Sequence, residues 1–262
     1  MSKQIGVLVV VAVISVAFWF VADGWIANPT FSADAAHGLV WPLVALVMCA
    51  ALIAIALALL YESPLQWGVI ALPAVAYIPL VGFSPYHFTV GAVMAIFLFF
   101  AGRNIKKELA ARVTIDAHGI VKAGLGMILT ALMVGVAFGY SLTPSVQQSA
   151  RTGTLPSFIT VAVQEAARLS VNLIGNVPVS ERAGIERQIA KQVLGQVTTL
   201  VRPFIQYIPS ILAFGLLLLL QGFNFIFYWL ASWISMGLFS ALKAIKFIRI
   251  EEKNIKGEML KI

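Results

Sequence analysis

Few side chains in this 262-residue chain are of a type and spacing that could do chemistry, and they fall into four small groups. Ser240 and Lys243 match Ser-x-x-Lys, which places a nucleophile and a base on adjacent helical turns. The pair stands at the end of a long uncharged run, where a lysine is expected on topological grounds, and we read it as a flank. Asp23, Asp34 and His37 could gather on one face as carboxylate and imidazole ligands for a cation. They read more simply as wet loop residues, so no metal is assigned. His118 beside Asp116 could titrate near neutrality and sense pH, although a hydrated loop histidine behaves the same way.

The fourth group is Gln221 and Asn224, the only strongly polar side chains near the middle of a 40-residue stretch without charge. Amides in apolar surroundings seek hydrogen-bond partners, either another helix or a polar solute. Interhelical bonding is the expected use. No HExxH, Gly-rich phosphate loop, Gly-x-Ser-x-Gly or paired buried aspartates occur. Cys49 is the single cysteine, which rules out an intrachain disulfide and a Cys/His zinc cluster. No catalytic residue, cofactor or metal ligand is therefore assigned, and enzymatic activity is not expected.

The elements that must position these groups follow from the distribution of charge. Gln4 to Ala22, Ala35 to Tyr61, Ser63 to Gly102, Ala123 to Ala150 and Pro203 to Leu242 contain no Asp, Glu, Lys or Arg. A bilayer core takes about 20 apolar helical residues to cross, and these runs are 19, 27, 40, 28 and 40 residues long. Composition agrees, with 60% hydrophobic residues, 11% charged residues and a mean hydropathy of +0.94. The expected fold is an all-α, polytopic integral membrane bundle of about six transmembrane helices, with an amphipathic helical hairpin outside the bilayer.

The first span is Ile5 to Val21, which contains Phe18, Trp19 and Phe20 and has no clear small-x-small cleavage site after it, so it reads as a span and not a signal peptide. The second runs from about Gly38 to Leu60, with Ala50, Ala54 and Ala58 at four-residue steps. One helix of 40 residues would be about 60 Å long, so Phe83-Ser84-Pro85-Tyr86-His87 must turn the third run into two spans, about 66–82 and 87–101. Pro73 and Pro79 should kink the former. The fifth, about 119–140, places Ala131, Gly135 and Gly139 on one face, where small residues let another helix approach closely. From 203 to 242 we expect one span, about Ile208 to Trp229, continuing as an interfacial helix through Trp233. Two spans there would separate the basic tail from the basic segment at Arg103, against the usual bias of Lys and Arg.

Four regions result: a five-span region over 1–140 with a basic cytoplasmic loop at 103–118; an extracytoplasmic segment over 141–202; a final span plus interfacial helix over 203–242; and a basic cytoplasmic tail over 243–262. Within the second, helices over 155–174 and 181–200 each carry an apolar stripe opposite a polar face. The formal charge of +7 comes from Lys and Arg outside the spans, which suits orientation and anionic lipid headgroups more than nucleic acid. Expected partners are the lipid bilayer and a membrane-protein partner or a second copy, with no nucleic acid. The expected location is a prokaryotic cytoplasmic (inner) membrane with both termini cytoplasmic. The functional expectation is a non-catalytic membrane scaffold or interaction module, the alternative being a small permease or channel subunit.

Overall fold

The computed structural model describes residues 2–27, 36–111, 117–152, 157–174 and 179–247. Asp34, Asp116 and the tail from residue 248 onward lie outside them, as does the side chain of His37. Among the described residues the chain is all-α: α1 Ser2–Ala27, α2 Ala36–Leu59, α3 Gln66–Val81, α4 Pro85–Ala111, α5 Ala117–Ser141, α6 Pro144–Thr152, α7 Ser157–Ile174, α8 Val179–Val201, α9 Ile208–Gly222 and α10 Asn224–Ala244. Helix is the form that satisfies backbone polar groups within a single apolar segment, which is why the uncharged runs adopt it.

Among the described residues six helices are long and apolar enough to cross a membrane: Lys3–Ala27, Val40–Leu59, Pro85–Ala111, His118–Ser141, Pro203–Gly222 and Asn224–Ala244. The number agrees with expectation, but the set differs. Gln66–Val81 is a shorter apolar helix, and the run from Pro203 contributes two long helices separated at Phe223. α4 also runs to Ala111, well beyond the end expected at 101, carrying Arg103, Lys106 and Lys107 on helix. Charge ends an apolar run, yet Arg, Lys and Glu are good helix formers, so the helix itself has no reason to stop there.

α5 is the hub of the bundle, with α1, α2, α4, α9 and α10 all packed against it. Leu125, Ile128, Leu129, Leu132 and Met133 form its fully buried spine. Two glycines show why the packing is close. A Cβ on Gly135 would strike the Trp19 ring and lie 2.8 Å from Met94 Sδ, while one on Gly139 would lie 3.0 Å from Val81 and 3.4 Å from Ile26. Ala131, on the same face, is completely buried. The small-residue face of α5 thus receives α1, α3 and α4 of its own chain.

These contacts also set directions. Ile26, Val81 and Gly139 meet at one end of the bundle, so α1, α3 and α5 point the same way. α4 runs against α5, with Ile105 on Gly124 and Met94 on Gly135. At the opposite end Lys3 Nζ donates to the Phe247 carbonyl at 3.3 Å and lies 5.1 Å from the centre of that residue's ring. α7 packs on α8 as a hairpin, which leads through a 3-10 turn at Arg202–Tyr207 into α9. The short helix α6 precedes the hairpin; Pro144 at its first position needs no amide hydrogen there.

Candidate functional site

The polar residues of the last uncharged run line the seam between α5 and the α9–α10 rod. Phe214 meets Phe138 edge-on at 5.8 Å, Gln221 Nε2 donates to Thr130 Oγ1 at 3.0 Å, Tyr228 OH donates to the Lys122 carbonyl at 3.3 Å, and Ser232 Oγ lies 3.3 Å from His118 Nδ1. As the rod advances from 214 to 232 its partner on α5 retreats from 138 to 118. α9 and α10 therefore make one antiparallel passage along α5 and do not fold back on each other. The junction at Phe223 stays in helical backbone space, with φ −89° and ψ −1°, and its amide still donates to Leu219 at 3.3 Å.

Gln221 and Asn224 part company at this junction. The Gln221 amide is committed to Thr130, whose own hydroxyl donates to the Gly126 carbonyl at 2.9 Å, making a short relay between two helices. The Asn224 Oδ1 atom is buried and accepts no hydrogen bond from the described residues. It has unused capacity, and unfilled acceptors of this kind attract a water or a ligand group.

A second polar cluster, unread in the sequence, lies where α3 turns into α4. Ser84 Oγ and His87 Nδ1 are 2.7 Å apart, His87 is only 7% exposed, and its ring lies against Gly82. The Tyr77 ring is 5.8 Å from that of His87, and its fully buried hydroxyl has no hydrogen-bond partner among the described residues. Trp19 closes the group by donating Nε1–H to the Pro73 carbonyl at 2.8 Å. The available signal was His87 three residues after Ser84 at a helix start, a spacing that brings two side chains to one face. Local spacing does not reveal that the end of α3 covers His87, with Gly82 and the Tyr77 ring against it.

The remaining residues of interest do not assemble. Ser240 and Lys243 are both exposed at the end of α10, so no enclosed nucleophile and base result. Asp23 is partly buried near the end of α1, while Asp34 is outside the described residues and the surroundings of His37 with it. Among the described residues no three His, Cys, Asp or Glu side chains come together in a way that could hold a metal ion. Cys49 is fully buried in the core and inaccessible. Between α2 and α3, the Tyr61 phenol is held above its ordinary pKa, first by burial and then by the hydrogen bond and negative charge of Glu62.

Charge is concentrated at the ends. Arg103, Lys106, Lys107, Lys122, Lys243 and Lys246 are exposed around the end of the bundle that carries Lys3. The hairpin leaves from the other end, where α5 finishes and α9 begins. No protein-family model matches the chain, and neither curated proteins nor solved structures provide a match.

Proposed function

We propose that the protein is an integral, multi-pass, non-catalytic membrane module that anchors the α7–α8 hairpin on one side of the bilayer and a basic face on the other. The observation that carries this reading is the use made of Gln221. Its amide, one of the two candidates for contact with a solute, is tied to Thr130 and holds the α9–α10 rod to α5. The hairpin supports it, because Leu169, Val193 and Leu200 remain exposed on helices that pack mainly on each other, leaving apolar side chains for a protein partner or the membrane surface. The cationic end suits the anionic headgroups of a cytoplasmic leaflet, which supports an orientation with both termini cytoplasmic in a prokaryotic inner membrane.

A second reading, a permease or channel subunit, draws on Asn224, whose buried acceptor could meet a passing polar solute. Reconstituted vesicles separate the two. Stopped-flow swelling with glycerol and with potassium chloride should match that of empty vesicles for both the natural protein and Asn224→Leu. Saturable entry that disappears in a folded Asn224→Leu protein would establish the second reading in place of the first.

A further inference from the structure

We propose that the groove enclosed by α1, α2, α5 and the α9–α10 rod holds a hydrocarbon chain of a bilayer phospholipid. The groove has a volume of about 670 Å³, and its accessible lining is entirely apolar. Val136 of α5 contributes to its inner wall. Val44 on one rim is 46% exposed, and Leu219, Phe223 and Leu230 on the other are 53%, 49% and 39% exposed. The opening is therefore lateral, between helices and toward whatever surrounds them.

Three physical arguments select the occupant. Water needs polar partners to stay in a cavity, and this lining supplies none. A helix of another protein is too wide: the rod lines the groove from Leu216 to Ile234, about 27 Å at 1.5 Å per residue, and all the atom-free space between the walls, open mouth included, is about 1740 Å³, a mean cross-section of about 64 Å² against about 80–110 Å² for a helix 10–12 Å across. Finally, acyl chains are the abundant material at the depth of the bundle's apolar helices, and every methylene moved into close apolar contact retains its dispersion attraction, which an empty groove would forfeit. The inference rests on the membrane placement proposed above but not on the choice between scaffold and permease.

The test uses phosphatidylcholine carrying a diazirine in the middle of one acyl chain, mixed into phosphatidylglycerol vesicles that contain the full-length protein. Flotation first establishes insertion. After illumination, detergent extraction and peptide mapping, label should concentrate on residues 40–48 and 216–234 and saturate near one lipid per chain. Val44→Trp fills the mouth and should reduce labelling of those peptides at least about tenfold, the equivalent of about 1.4 kcal/mol in affinity. Val40→Trp, also on the rim, should act in the same direction, whereas Val13→Trp on the outer face of α1 should leave it unchanged. Protein that floats but is labelled in the groove no more than on the outer face of α1, with both rim variants inert, overturns the proposal. Failure to float would instead overturn the membrane placement, and the groove proposal with it.

Discussion

α5 and the α9–α10 rod have similarly apolar sequences and opposite surroundings. In the most apolar window of α5, 67% of residues are buried, against 17% and 22% for the windows in α9 and α10. Hydropathy cannot separate the two, because packed protein and lipid tails are both apolar environments. Residue size can. α5 carries Ala131, Gly135 and Gly139 where three neighbours close in, while the rod presents Phe214, Leu218, Phe225, Trp229 and Trp233, all more than half exposed. A helix that other helices must approach uses small side chains. One whose outer face is left uncovered has no such restriction.

The sharpest way to break this comparison is to add bulk to α5. Gly135→Leu should destabilise the bundle by about 1 to 3 kcal/mol or more, the range for overpacking, because Trp19 and Met94 leave no space. Gly139→Leu should fall in the same range, displacing Val81 and Ile26. Thermal unfolding in mild detergent reads both, and an unchanged midpoint would mean that α1 and α4 do not close on α5. A smaller effect is expected from Trp19→Phe, which keeps an aromatic ring against Gly135 but removes the hydrogen bond to Pro73; the net loss should be about 0.5 to 1.5 kcal/mol.

On the seam between the two regions, Gln221→Leu and Thr130→Val should each cost about 0.6 kcal/mol and at most about 1.7 kcal/mol. Their effects should be less than additive in a double-mutant cycle, since either change alone removes the shared bond. Strict additivity would separate Gln221 from Thr130. The smallest effect belongs to the outer face of the rod, where Phe225→Leu, at a position 72% exposed, should shift stability by less than about 0.5 kcal/mol.

Much of the architecture was legible because the absence of charge over about 20 residues is a one-dimensional signal. Bends were less so. Gln221-Gly222 marks the soft point of the last run, but whether α9 and α10 turn back or continue is decided by the ladder of contacts from Phe138 to His118, which no local pattern encodes. α6 was missed because Pro144 reads equally as a loop residue and as the first residue of a helix. The extension of α4 was missed because an apolar boundary was equated with a helix boundary. Among candidate site residues, Gln221 was identifiable as a polar exception in an apolar run. Tyr77 and His87 were not, since their pairing is created by α3 and α4 folding together around Pro73 and Gly82.

The central claim is that the chain crosses the bilayer once along the α9–α10 rod, so that the hairpin and the basic end face opposite sides. Single-cysteine labelling tests it directly. In a Cys49→Ala background, Ser170→Cys lies on the exposed surface of α7 and Ala244→Cys at the exposed end of α10. An impermeant maleimide added to intact cells should modify Ser170→Cys alone, with Ala244→Cys reacting only after permeabilisation. Equal modification of both in intact cells would place the two sites on the same side and contradict the single crossing.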